Sequence, residues 1–268
     1  MTEQEFNELV AKAENGTASA AELEALEPYR AKRVVFMAAG FGSRMVPLTY
    51  TTPKPLAKVH GKRLIETTLD AALAAGIEEI YIVRGYLAEC FDVLLEKYPM
   101  IHFIENPIYN ETNNISSILK AAELLQNAYV CEADLLLSNP KLITRYQYRS
   151  NFLGVPTQKT DDWCFTTDGE DGILSVQKGG DGGVFHMFGI SWWSAEDGKR
   201  LCDDIKDVFE NAPDGRNVFF EAVPLTLCRD HYHVHVRRCS FDDIVEIDTF
   251  EELKQLEPSY ESLENSAV

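Results

Sequence analysis

Positive charge is scarce in this chain. Its 25 Lys and Arg stand against 43 Asp and Glu, and the net charge of −18 opposes a polyanion, so no nucleic-acid partner is expected. Long apolar runs are missing as well. No stretch approaches the ~20 residues of a membrane span, and the acidic, apolar-poor start is not a signal peptide. No membrane insertion and a cytoplasmic location are therefore expected. The six cysteines (90, 131, 164, 202, 228, 239) form no Cys-x-x-Cys, which predicts buried free thiols rather than disulfides or zinc. Glycine patterns are also incomplete. No third glycine follows Gly40-x-Gly42 at the dinucleotide spacing, and no Gly-Lys-Ser/Thr occurs, so neither a Rossmann fingerprint nor a P-loop is present.

What is present concentrates in Met37-Ala38-Ala39-Gly40-Phe41-Gly42-Ser43-Arg44 and in the later Pro53-Lys54-Pro55-Leu56. The apolar Val34 to Met37 reads as a buried parallel strand, which sets Gly40 and Gly42 at its carboxyl end, where open α/β sheets bind ligands. Glycine there lets backbone N–H groups approach an anion. Arg44 adds a planar fork for phosphate oxygens, Lys54 a point charge, and Pro53 and Pro55 stiffen the segment that carries it. An acidic protein that gathers Arg44, Lys54, Lys58, Lys62 and Arg63 in one stretch is expected to bind an anionic small molecule.

The pattern predicts an N-terminal helical appendage over 1–30, with a helix over 2–14 and a second opened by the capping box Ser19-x-x-Glu22. Its apolar stripe has two candidate surfaces, the main domain or a second copy of the chain in a homodimer. From 31 to 257 one domain is expected: strands at 33–38, 79–84, 101–104 and 128–132 alternate with helices near 63–75, 88–97 and 114–126, which implies a parallel sheet. Beyond Asp134, strands at 151–155, 162–167, 172–177 and 184–193, punctuated by the glycine-rich run 179–183, are expected to lie over the sheet's mouth. Helices near 195–211, 216–227 and 249–256, a strand at 231–238 and a flexible tail over 258–268 complete the expectation.

Two acids close strands. Asp134 ends Tyr129-Val-Cys-Glu132-Ala-Asp134, and Asp248 ends Ile244-Val-Glu-Ile-Asp248, where alternation predicts Val245 and Ile247 on one face. A hard Mg²⁺ takes one or two carboxylates together with phosphate oxygens and water. Asp248 also stands before Thr249-Phe-Glu-Glu, where it would cap a helix. Asn113, Asn114 and Ser116 sit at a helix start and are placed either to read a base or to cap. Gly85 and Tyr86, after a strand, are a candidate wall for the base. His231, His233 and His235 would share one face of a strand, which suits zinc only with a fourth ligand; an exposed strand face is the expectation.

The run from Met37 to Thr49, with Pro53-Lys54-Pro55-Leu56, resembles the signature of nucleotidyltransferases that make sugar nucleotides and CDP-alcohols. The acids and the Asn113-Asn114 segment narrow this to a resemblance to bacterial CTP:phosphocholine cytidylyltransferases, over about residues 33–256. The resemblance implies a Rossmann-like, GT-A-like α/β fold, a mostly parallel twisted sheet flanked by helices with a β-rich acceptor lid. It implies Arg44 and Lys54 as catalytic residues. Ala38, Ala39, Gly40, Phe41, Gly42, Ser43, Gly85, Tyr86, Asn113, Ser116 and Glu132 would bind CTP, with Asp134 and Asp248 as Mg²⁺ ligands. Glu132 stands where that family commonly has Asp. Trp163, Trp193, Phe220 and Glu221 would form the phosphocholine pocket, since a quaternary ammonium needs aromatic faces and a carboxylate. Rival acceptors are 2-aminoethylphosphonate or phosphoethanolamine, then a sugar-1-phosphate; a non-catalytic nucleotide-sensing module is the alternative of a different class.

Overall fold

The structure is a computed structural model that describes residues 1–264. In chain order its elements are α1 (Glu3–Glu14), α2 (Ala20–Leu26), β1 (Arg33–Ala38), β2 (Lys58–Val59), β3 (Lys62–Arg63), α3 (Leu64–Ala74), β4 (Glu79–Arg84), β5 (Ile101–Glu105), α4 (Ile115–Lys120) and β6 (Ala128–Glu132). There follow β7 (Leu135–Leu137), β8 (Asn151–Thr167), β9 (Ile173–Trp193), α5 (Ala195–Asn211), β10 (His235–Arg238), β11 (Ile244–Glu246), α6 (Phe250–Leu256) and α7 (Glu261–Glu264). The main sheet has the order β10-β8-β9-β6-β1-β4-β5. It is mostly parallel: β6, β1, β4 and β5 run together and β10 runs with β8, while β9 is antiparallel to both its neighbours.

The centre of that sheet is apolar on both faces, which is why β1 reads as an unbroken apolar run. Val34 and Phe36 face Ile65, Leu69 and Ala72 of α3. Val35, on the opposite face, packs with Ile115 and Ile118 of α4 and Leu201, Ile205 and Val208 of α5. Helix α5 begins where Ser194 Oγ accepts the Asp197 N–H, and its buried residues recur at helical spacing. Among the described residues no helix is long and apolar enough to cross a membrane.

Several elements depart from the sequence pattern for local reasons. Segments 151–167 and 173–193 are each a single long strand, and their pairing shifts register between Thr157 and Lys159 and between Thr160 and Trp163. The glycine run is a bulged stretch of β9, with Gly179, Gly182 and Gly183 at positive φ. The hairpin turn lies instead at Asp168, whose Oδ1 accepts the Glu170 and Gly172 N–H groups. The expected helix over 88–97 is a 3₁₀ run from Ala88 to Glu96, and that over 114–126 splits into α4 and a 3₁₀ turn, Ala122–Leu124. The expected helix over 216–227 also breaks. Asn114 Oδ1 captures the Phe220 N–H, and Pro224, which lacks a donor, sits at the start of a short π-turn, Val223–Leu227.

The N-terminal hairpin rests on the main domain. Phe6 is buried, with its ring 5.2 Å from Tyr29 and 5.3 Å from Tyr148, and Glu3 pairs with Arg149. At the other end, the chain after Pro258 is tied down further than expected of a flexible tail. Tyr260 packs on Phe250, and its hydroxyl accepts the Lys58 N–H at 2.8 Å. Residues 265–268 of that expected tail lie outside the described residues.

Candidate active site

The turn after β1 is built around Gly42, which adopts φ +59° and would place a Cβ 2.9 Å from Lys54 Cβ. Glycine there lets the loop close over the lysine. Lys54 is buried, and its Nζ donates to Asp134 Oδ2 at 2.7 Å and to Asp248 Oδ1 at 2.9 Å. Arg44 Nη2 donates to the same Asp248 oxygen at 2.7 Å. Burial pulls the Lys54 ammonium down, but Asp134 and then Asp248 outweigh it, so its pKa stands above the ordinary lysine value and the group is a cation.

Asp134 and Asp248 meet because β11 pairs antiparallel with β7, setting Glu246 opposite Leu135. The Ile247 N–H continues that ladder to the Asp134 carbonyl at 3.3 Å. The strand faces are not those expected: Ile244 and Ile247 are buried and Val245 is exposed, because the strand ends at Glu246 and alternation with it.

The carboxylates crowd. Glu132, Asp134 and Glu246 offer oxygens that all lie within 4.8 Å of one another. Burial, then Asp134 and Glu221, hold the Glu132 carboxyl far above the usual carboxylate range. Burial, then Asp134 and Asp248, push Glu246 up to about 8. Asp134 Oδ1 is buried and has no hydrogen-bond partner among the described residues. An unspent oxygen on Asp134, with Asp248 beside it, is a donor set that suits a hard divalent cation.

The raised Glu246 carboxyl has a consequence for stability. Between its ordinary value of 4.5 and about 8 the folded chain binds a proton that the unfolded chain has released. Stability of the cation-free protein is therefore expected to fall as pH rises through that window, and Glu246→Gln to flatten the fall. Thermal midpoints in chelator across the window check this; a slope unchanged in the variant would contradict it.

Two cavities open here. One of about 330 Å³ lies over Ala38, Ala39, Gly40, Gly42 and Ser43 and is bounded by Asn113, Asn114 and Ser117. The other, of about 750 Å³, lies under the β8–β9 lid. Arg44, Glu132, Asp134 and Asp248 line both, so the two chambers meet at Arg44 and the acids.

Several expected nucleotide residues support the first cavity rather than line it. Phe41 is exposed, with its ring 5.1 Å from Tyr86 and 5.2 Å from Tyr109. Tyr109, from the same segment as Asn113 and Asn114, lines the cavity. A Cβ on Gly85 would strike Tyr109 Cδ1 at 2.6 Å, and the Tyr86 hydroxyl donates to the Thr49 carbonyl, so both residues position the aromatic wall. Ser116 is buried, donating to the Asn113 carbonyl and accepting from Asn106, while Ser117 faces the cavity. Asn113 lines it while donating to the Asn217 carbonyl.

Two of the residues expected to bind an acceptor do not line the larger cavity. Trp193 and Phe220 are 0% and 1% exposed and belong to the core; Trp193 Nε1 donates to Ser191 Oγ, and its ring lies 6.2 Å from Phe220. Trp163 (36% exposed) faces the larger cavity as expected, and Phe219 (48%), the sequence neighbour of Phe220, joins it; the two rings meet edge to face at 5.9 Å. Glu221 lines it as expected, its carboxyl raised by burial against a backbone N–H and Asn114. Asp161, Asp162, Glu246 and Lys178 join it. The signal for the two aspartates was their place beside Trp163, in the segment expected to cover the mouth.

Gly189 gives Glu132 its room, since a Cβ there would fall 2.0 Å from Glu132 Oε2. Gly189→Ala is expected to drive that carboxylate into the acidic cluster and to lower kcat/KM by about tenfold or more, as loss of a positioned group does. Steady-state kinetics at saturating nucleotide check it, with thermal melts to exclude unfolding.

The three histidines part company. His231 sits on a 3₁₀ turn against Asp204, whereas His235 is buried in β10 beside Arg149, its ring 4.4 Å from that of His233. The expected shared face fails because the strand starts only at His235.

A strand-end glycine loop with two cations, facing two strand-end acids across a shared chamber, defines a nucleotidyltransferase. The chain belongs to the MobA-like NTP transferase domain family, matched over residues 34–174. It is 37% identical over 229 residues to a 2-aminoethylphosphonate cytidylyltransferase from Lancefieldella rimae, covering 84% of this chain and 92% of that protein. It is 30% identical to a choline-phosphate cytidylyltransferase from Streptococcus pneumoniae, covering 84% and 96%. The solved CTP:phosphocholine cytidylyltransferase of Streptococcus pneumoniae superposes with a TM-score of 0.77 at 28% identity, over 86% of this chain and 99% of that one. Within the family this chain falls with the cytidylyltransferases.

Proposed function

We propose that the chain transfers CMP from CTP to 2-aminoethylphosphonate and releases pyrophosphate. The observation that carries this reading is the composition of the larger cavity: one aromatic pair, Trp163 and Phe219, among the acids Asp161, Asp162, Glu221 and Glu246. A trimethylammonium group cannot donate conventional hydrogen bonds and needs aromatic faces on several sides. A primary ammonium has three donors and favours carboxylates. Of the four residues that the resemblance implied for a phosphocholine pocket, Trp193 and Phe220 lie in the core. The likeness to the Lancefieldella rimae enzyme points the same way.

In the reaction, an oxygen of the acceptor phosphonate attacks the α-phosphorus of CTP in line. The new P–O bond forms as the bond to the bridging oxygen breaks, and pyrophosphate leaves with that electron pair. The acceptor oxygen is already anionic, so no general base is required. Backbone N–H groups around Gly40 and Gly42 receive the phosphates, Arg44 pairs with the β- and γ-phosphates, and Lys54 bridges the α-phosphate and the incoming phosphonate. Magnesium held by Asp134 and Asp248 would supply charge neutralisation at the triphosphate. Lys178, on the cavity wall, adds a positive charge for the acceptor anion.

Pyrophosphate release tests the proposal, with CTP, UTP, ATP and dTTP each paired with 2-aminoethylphosphonate, phosphoethanolamine, phosphocholine and glucose-1-phosphate. Turnover with CTP and 2-aminoethylphosphonate is expected, with kcat/KM at least about tenfold above that for phosphocholine, a modest discrimination for a pocket built of hydrogen bonds. A preference for phosphocholine would overturn the acceptor assignment, and silence with every pair would favour a sensing module.

A further inference from the structure

Asp204, Cys228 and His231 bring a carboxylate oxygen, a thiol sulfur and an imidazole nitrogen within 4.8 Å of one another. None of the three lines the nucleotide or the acceptor cavity. We propose that they form a second metal site, selective for a zinc-type transition-metal ion.

The donor set itself argues for that class. Sulfur and nitrogen ligands select borderline ions such as Zn²⁺, whereas Mg²⁺ takes oxygen alone. The ligands are held in place before any ion arrives. Arg200 Nη1 donates to the His231 carbonyl at 2.7 Å, which fixes the 3₁₀ turn against α5. The Tyr232 hydroxyl donates to Asp204 Oδ2, and His231 Nδ1 lies 2.8 Å from the same oxygen. An entering ion takes the place of the proton now shared between His231 and Asp204, and of the thiol proton of Cys228. Burial, then Asp204 and Asp207, raise that thiol above the ordinary cysteine value; the negative field that keeps the proton on sulfur also draws a dication. The His231 side chain is 52% exposed, so solvent reaches the site and water can complete a tetrahedron.

The site abuts the acceptor pocket through the backbone. The Cys228 N–H donates to the Val223 carbonyl at 2.9 Å and closes the π-turn, and Ala222 and Thr226 of this segment line the larger cavity. An ion that ties Cys228 to α5 therefore steadies one wall of that cavity.

The test is a Co²⁺ titration of the full-length protein, stripped with chelator and kept free of magnesium, nucleotide and acceptor. A thiolate-to-cobalt charge-transfer band is expected, saturating at one-to-one stoichiometry and discharged by Zn²⁺. Cys228→Ser is expected to abolish the band. His231→Ala, a change on an exposed turn, is expected to weaken Zn²⁺ affinity by about tenfold or more while leaving the circular dichroism spectrum intact. Absence of the band at saturating Co²⁺, or a band that survives Cys228→Ser, overturns the proposal. Neither readout depends on which acceptor the enzyme uses.

Discussion

Lys54→Ala is expected to lower kcat by about 10³-fold, the upper end of what loss of one preorganised charge donor costs. The geometry gives the residue a second role beside the phosphate contact proposed for it. Its ammonium bridges Asp134 and Asp248 at the junction of the two cavities, with Glu132 and Glu246 close behind. Without it, the acids that should receive a cation repel one another and the triphosphate together. The variant is expected to keep its circular dichroism spectrum but to melt earlier in chelator, and magnesium should recover part of the loss. Lys54→Arg is expected to restore little, because the lysine is buried beneath a loop whose Gly42 already approaches its stem, and a planar fork is larger. Single-turnover kinetics with CTP measure the chemical step directly. A Lys54→Ala enzyme within tenfold of the wild type would remove Lys54 from catalysis.

Asp134→Ala is expected to match that loss, about 10³-fold in kcat, for a different reason. Asp134 spends one oxygen on Lys54 and leaves the other buried and unpartnered among the described residues, so the side chain has a ligand position to offer. Two readouts separate this role from a structural one. Wild-type protein should gain thermal stability with magnesium by linkage, while the variant should not. Asp134→Asn, which retains the shape and one oxygen, should bind CTP and still fail to turn over at ordinary magnesium. Normal activity in Asp134→Ala, or an unchanged response of its melting temperature to magnesium, would refute the assignment.

The parts that the sequence made legible are those in which local pattern and chemistry coincide. An apolar run followed by Gly40-Phe41-Gly42-Ser43-Arg44 reads as a strand that delivers a glycine loop and a cation, and β1 ends there. Asp134 and Asp248 could each be placed at a strand end. Helix α5 lies where it was expected, near 195–211, and there the capping of Asp197 N–H by Ser194 and the apolar spacing agree. Where the signals conflict, the expectation failed. Residues 216–227 have helical composition, yet Pro224 and the capture of the Phe220 N–H by Asn114 break them into turns. His231, His233 and His235 alternate like a strand, yet a turn closes at His231 and the strand begins late.

The larger cavity shows why the remainder was hidden. Trp192 and Trp193 pack into cores on opposite faces of the sheet, and Phe219 and Phe220 point to different sides of one turn. A one-residue difference decides whether an aromatic ring fills the core or meets a ligand, and composition is blind to it. By itself, then, the sequence determined the local parts of the candidate site: a strand, a glycine loop, Arg44, Lys54 and two strand-end acids, all set by local backbone and charge. Only the tertiary structure decided that β11 pairs with β7 to bring those acids to one lysine, and that Phe219 joins the expected Trp163 on the larger cavity while Trp193 and Phe220 fill the core. Both decisions depend on contacts between residues far apart in the chain, and no local periodicity encodes those.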